Sequence, residues 1–230
     1  MISKIVEAGF VLVLVAVVPL LSYRTSRKLE ILALPRLQLY FSAALSQWAI
    51  AALGIAVVWV SSLTYAAIGF RAAPMTSLIF WMAVLTGVSL ASLGLVVWVE
   101  QRGWCPREPD LVYALIPQTP REKLWAVLVI SPTAAICEEF LYRGFLVAEL
   151  SLWLHSFILA TAVSSVVFGM AHAYQGLSGI VRAALLGALL SIPVIRLGTI
   201  FPSMASHFLI DAVALAWIGP RMPGKSPANI

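Results

Sequence analysis

Apolar runs of about 20 residues, each long enough to cross a hydrocarbon core as a helix, recur along this chain at roughly 3–22, 38–60, 75–99, 124–148, 152–173, 177–195 and 199–218. A chain with this pattern has one open class, an all-α bundle of about seven membrane-spanning helices. An eighth becomes possible if the segment Leu111–Ile116 dips into the interface. Hydrophobic residues make up 61% of the 230 and charged residues 11%, about half the charged share of a soluble domain. The first run ends in Pro19-Leu20-Leu21-Ser22-Tyr23 and then Arg24, without a small-residue cleavage site. It reads as a retained span rather than a signal peptide.

Charge placement gives orientation. With the first helix entering from outside, the cytoplasmic loops hold Arg24, Arg27, Lys28, Arg36, Arg102, Arg107, Arg121, Lys123, Arg221 and Lys225, and the other side only Lys4, Arg71 and Arg196. This positive-inside bias predicts an integral, multi-pass protein with an external N-terminus and a cytoplasmic C-terminus. The net charge of +5 is spread over short loops, so it marks topology and the lipid bilayer as partner, and no nucleic acid. Cys105 and Cys137 suggest neither a disulfide framework nor a thiolate metal site.

Against this background, Glu138-Glu139-Phe140-Leu141-Tyr142-Arg143 stands out. A charge at the bilayer centre costs at least about 2.5–3.5 kcal/mol, so three together need partners or a purpose. On an α-helix Glu139 and Arg143 share a face and pair, while Glu138 points about 100° away. The bland reading is an ion pair that glues the bundle. Two further clusters make the sharper reading preferable. The fifth run ends Phe168-Gly169-Met170-Ala171-His172, and the seventh holds His207 and Asp211 four residues apart. Carboxylates and imidazoles at membrane depth are the parts of a hydrolytic site. A glutamate in an apolar pocket serves as base for water, one imidazole relays the proton, and another N–H faces an oxyanion. The same residue types can also hold a divalent metal such as zinc, and the two schemes stay open. Other polar residues have structural readings: Arg182 snorkels, His155 ends a helix, and Ser89, Ser164 and Ser165 are small packing residues. No G-x-S-x-G elbow and no H-E-x-x-H is present.

Glu-Glu-x-x-x-Arg, then Phe-x-x-x-His, then His-x-x-x-Asn/Asp, each on its own late helix, resembles the CAAX prenyl endoprotease and bacteriocin-processing family of intramembrane endopeptidases. The resemblance covers about residues 122–217 and implies cleavage of a membrane-associated protein or peptide. It implies Glu138 as the water-activating base with His172, Glu139 and Arg143 as supports, and His207 and Asp211 on the oxyanion side. Asp211 departs from the family's usual asparagine, and an ionised aspartate only accepts hydrogen bonds; its expected role is to orient His207. Residues 122–218 are expected to be the catalytic helices, 1–121 a lipid-facing scaffold without mid-span charge, and 219–230 a mobile tail, all within one integral domain. The rivals are a transporter or proton relay and a catalytically silent scaffold or immunity protein. The ionisable residues crowd into the second half, which favours the enzyme. One tension remains: Glu138 falls about 22 Å beyond Lys123 along a straight helix, whereas His172 sits at the cytoplasmic end of its run. The span boundaries must therefore shift, most plainly near residues 120–135.

Overall fold

Six helices in the computed structural model, which describes residues 2–104 and 109–221, are long and apolar enough to cross a membrane: Ile2–Thr25, Arg36–Val60, Met75–Gln101, Pro120–Leu154, Ala173–Leu197 and Phe201–Arg221. The shorter apolar helix Phe157–Ala171 stands between the fourth and fifth of these. The expected all-α, polytopic bundle is thus present, with the seven predicted runs in order. Below they are the first to seventh helices, Phe157–Ala171 being the fifth. Leu111–Ile116 is no eighth span: it lies on a short helix, Asp110–Leu115, whose Leu115 carbonyl accepts from the Tyr40 hydroxyl at 2.7 Å. Cys105 and the tail beyond residue 221 lie outside the described residues.

The main boundary correction removes the depth problem. The fourth helix runs to Leu154, and the chain reverses at His155, in the left-handed region at φ 49°, and at Ser156, whose hydroxyl caps Leu159 N at 3.2 Å. Glu138 is 16 residues before Leu154 and His172 is 15 after Phe157, about 24 and 22 Å at 1.5 Å per residue. Two antiparallel arms of equal length bring them to one level. The surplus length of the fourth helix lies at its start. Thr119 and Glu122 form a capping box there, with Glu122 N to Thr119 Oγ1 at 3.2 Å and Thr119 N to Glu122 Oε2 at 3.1 Å. The fifth helix, about 22 Å long against a hydrocarbon core of about 30 Å, ends inside the bundle with His172 as its cap.

Wide π-helical turns interrupt several helices. Val13–Val17, Ala126–Ile130 and Ala214–Ile218 each end two residues before a proline: Pro19, Pro132 and Pro220. Proline lacks an N–H and its ring clashes with the carbonyl four residues earlier, and a wider turn relieves both. Ser131 Oγ donates to the Ala126 carbonyl at 2.9 Å inside the second of these turns. A longer π segment, Glu139–Leu146, has no such proline and begins on the Glu-Glu motif. Gly144 lies so close to the Ile68 carbonyl that a Cβ would stand 2.8 Å from it.

The first two helices are not merely lipid-facing, and the first is not free of buried charge. Phe10, Val11 and Leu14 enter the same core as Phe140, Leu141 and Phe145, with Phe10 edge-on to Phe145 at 5.1 Å. Gly54 of the second helix fits beneath Phe10, Phe140 and Leu141, any Cβ there meeting them at 3.0–3.1 Å. One turn beyond Phe10, Glu7 is fully buried with Lys4 Nζ 2.6 Å from its carboxylate. The stretch Ser61–Ala73 is also more than a loop. Ile68 is buried, Gly69 takes φ 83° where it passes Ile200, and Phe70 touches the rings of Phe140 and Phe201.

The fifth and sixth helices pack closely because Gly169 has no side chain: a Cβ there would stand 2.5 Å from the Ile180 carbonyl and 2.8 Å from Ala184 Cβ. Gly169→Ala should therefore force the helices apart and cost about 1–3 kcal/mol. A thermal unfolding midpoint equal to the parent's, with the helices at unchanged separation, would contradict the packing described.

Candidate active site

The motif helix presents Glu138 and Glu139 on either side of a buried seam. Glu139 is fully buried and Arg143 nearly so. Arg143 Nη1 lies 3.0 Å from Glu139 Oε1, but off the direction of its N–H bonds, since neither Nη1 nor Nη2 makes a hydrogen bond. The contact is therefore ionic. The guanidinium is fixed by stacking: its Cζ is 4.1 Å from the Phe168 ring centroid. Gly187 leaves the space, because a Cβ there would meet Arg143 Nη2 at 3.2 Å and Phe168 Cδ1 at 3.3 Å.

The same Glu139 oxygen reaches the seventh helix. His207 Nδ1 is 2.8 Å from Glu139 Oε1. An ionised carboxylate only accepts, so Nδ1–H is the donor and Nε2 turns toward Glu138. On the fifth helix His172 Nδ1 is 2.8 Å from the Phe168 carbonyl, another acceptor, which turns His172 Nε2 the same way. Phe168 packs against both rings, at 4.6 Å from His172 and 6.2 Å from His207, and against Tyr142 at 5.2 Å.

Glu138 Oε2 thus faces two imidazole nitrogens, His172 Nε2 at 4.0 Å and His207 Nε2 at 3.9 Å, with Asp211 Oδ2 3.6 Å from the latter. These separations exceed hydrogen-bond length and suit one bridging water. The other oxygen, Oε1, accepts from Gln47 Nε2 at 2.9 Å. Gln47 comes from the second helix, where Trp48 Nε1 also donates to Thr133 Oγ1 at 3.0 Å. Sequence reasoning missed Gln47, since a single amide in an apolar run carries no pattern. All six predicted residues, Glu138, Glu139, Arg143, His172, His207 and Asp211, come together. The expected orienting bond from Asp211 is made instead by Glu139. Asp211 sits at the opposite ring nitrogen and beyond bonding distance.

Glu138, His172 and His207 together offer the donor types of a zinc site. Tetrahedral zinc with bonds of about 2.0–2.2 Å puts its ligands about 3.3–3.6 Å apart, a few tenths of an ångström closer than the 3.9 and 4.0 Å found between Glu138 Oε2 and the two Nε2 atoms. Among the described residues no group of three or more His, Cys, Asp or Glu side chains is arranged to hold a metal ion.

Residues 120–213, which include the motif helix and both histidines, match the family model described as type II CAAX prenyl endopeptidase Rce1-like. These residues resemble an Rce1-like domain. The match supports the CAAX endoprotease family that the three motifs resemble, and with it a protease held in the membrane by several spans. Comparison with curated proteins and with solved structures gave no significant match. The Rce1-like segment begins at the capped start of the fourth helix, so the matched region excludes the helix that supplies Gln47.

Glu139 offers the sharpest test of the buried network. Glu139→Gln should remove the charge that balances Arg143 and the acceptor that fixes His207. Breaking one partner of a buried ion pair costs about 3–5 kcal/mol, so the unfolding midpoint should fall clearly. An unchanged midpoint would mean that the pair does not hold the bundle.

Proposed function

We propose that this protein is an intramembrane endopeptidase that hydrolyses a peptide bond of a membrane-associated protein or peptide, with Glu138 as the base. The observation that carries the reading is the convergence of His172 Nε2 and His207 Nε2 on the one Glu138 oxygen that has no hydrogen-bond partner. A water between Glu138 Oε2 and His172 Nε2 gives its proton to the carboxylate as its oxygen bonds to the scissile carbonyl carbon. The oxyanion formed accepts from His207 Nε2–H. With Glu138, Glu139 and Asp211 around it, His207 is the ring best placed to hold protons on both nitrogens. Collapse of the intermediate breaks the C–N bond, and the proton taken by Glu138 passes to the leaving amine. Gln47 holds the base by its other oxygen, while Arg143 and Glu139 set the angle of His207. Asp211, 3.6 Å from His207 Nε2, adds negative charge beside the ring without bonding it. No metal is used in this scheme.

On this reading residues 122–218 are the catalytic helices and 1–121 their scaffold within one integral domain, the scaffold lending Gln47. The loop charges support an external N-terminus and a cytoplasmic C-terminus, which would open the His172 end of the fifth helix toward the cytoplasmic side. Reporter fusions should give opposite signals at the two termini; like signals would refute the orientation.

Glu138→Gln should keep the fold and lower cleavage of a membrane-anchored peptide by about 10²–10⁴-fold, the range of general-base catalysis. Gln47→Ala should cost about 10–100-fold, the equivalent of one hydrogen bond to a charged group at about 1.5–3 kcal/mol. Full activity of purified Glu138→Gln protein would end the proposal. Loss of parent activity with a chelator, restored by zinc, would replace the metal-free scheme with a metal-dependent one.

A further inference from the structure

A second polar feature lies far from Glu138. At the end of the bundle opposite the basic loops, a cavity of about 670 Å³ opens between the 66–74 segment, Phe157 at the start of the fifth helix, and Val194–Gly198 at the end of the sixth. Two arginines line it, Arg71 and Arg196, both exposed. Arg71 lies against Gly198, with Cδ and Nη1 each 3.7 Å from where a Cβ would stand, and Gly198 has φ 68°. The helix therefore ends in a bend that only glycine adopts without strain, and this bend leaves room for the guanidinium two residues from Arg196.

Neither arginine has an acidic neighbour in its own stretch of chain. No Asp or Glu occurs between residues 31 and 99 or between 150 and 210, and those two stretches supply the whole described lining. The two carboxylates near this end, Glu7 and Glu149, are fully buried, and Lys4 already lies against Glu7. The cavity sits where three helices begin or end, so in a bilayer it falls at headgroup depth. Apolar side chains stand exposed nearby, among them Phe157, Ile195 and Phe201. Guanidinium forks fit the oxygens of a phosphate two at a time, and the flanking apolar surface fits acyl chains.

The geometry points to a binding site for the phosphodiester headgroup of an anionic phospholipid, held by Arg71 and Arg196 in the leaflet opposite the basic loops. A zwitterionic lipid fits less well, because its ammonium group would face two guanidiniums. The site is separate from the catalytic one and stands whether or not Glu138 is the base.

The test uses the full chain in phosphatidylcholine nanodiscs with increasing phosphatidylglycerol, read by unfolding midpoint and by lipid retained in native mass spectrometry. Phosphatidylglycerol should raise the parent's midpoint. Arg71→Gln with Arg196→Gln should shift the half-saturating fraction at least tenfold upward, while Arg27→Gln at the other end should leave it unchanged. A rise that persists in the double variant, or phosphatidylcholine retained as well as phosphatidylglycerol, overturns the site. If inorganic phosphate alone reproduces the rise, the ligand is a soluble anion and the lipid assignment fails. Should the double glutamine variant not fold, Arg71→Lys with Arg196→Lys decides, since it keeps the charge and loses the fork. Retention of phosphatidylglycerol should then fall several-fold, and undiminished retention overturns the proposal.

Discussion

One carboxylate oxygen, Glu139 Oε1, ties the late helices together. It lies 3.0 Å from Arg143 on its own helix and 2.8 Å from His207 on the seventh, in a place that water does not reach. Three ionisable groups with little solvent have few alternatives to one another, so the arrangement is stiff. Removing any member leaves an uncompensated buried group. Phe168 completes the unit by offering its face to Arg143, its flank to both histidines and its carbonyl to His172. The first glutamate of the doublet is thereby left outside the ion pair, because the second meets the structural demand.

Close backbone approaches make this unit possible. Gly187 admits the Arg143–Phe168 stack, Gly169 brings the fifth helix onto the sixth, and Gly144 lets the 61–74 segment touch the motif helix. In a bilayer, apolar side chains gain nothing by leaving lipid for protein, so small residues at crossing points do much of the work of association. The helices nearest the site are accordingly the more buried ones. Half of the most apolar 18-residue stretch of Pro120–Leu154 is buried, against 17% of that in Met75–Gln101, which leaves the latter mainly a lipid-facing wall.

The wide turns divide into two kinds. Three have a local cause, a proline two residues downstream, and belong to the sequence in the strict sense. The fourth, over Glu139–Leu146, has none. It lies where the motif helix meets the 61–74 segment on one side and the fifth and seventh helices on the other. Wide turns of this second kind recur at functional sites because they re-aim side chains that a regular helix would hold in fixed register. Here the departure starts at the residue after the candidate base.

The sequence by itself determined the class of the fold and which ionisable side chains would meet inside it. Apolar runs of spanning length dictate helices in a bilayer, and glutamates, arginine and histidines inside such runs must find one another because lipid offers no other partner. It also held the start of the fourth helix, in the capping pattern of Thr119 and Glu122. Hydropathy alone could not show this, because the first turn is polar. The tertiary structure decided the rest. A hairpin turn at His155–Ser156, inside an almost unbroken apolar stretch, equalises the depths of Glu138 and His172. Gln47 reaches Glu138 from a helix that hydropathy marks only as a span. Glu139, and not Asp211, fixes His207. In each case the sequence supplies a donor and several acceptors of equal chemistry, and only distance in three dimensions chooses among them.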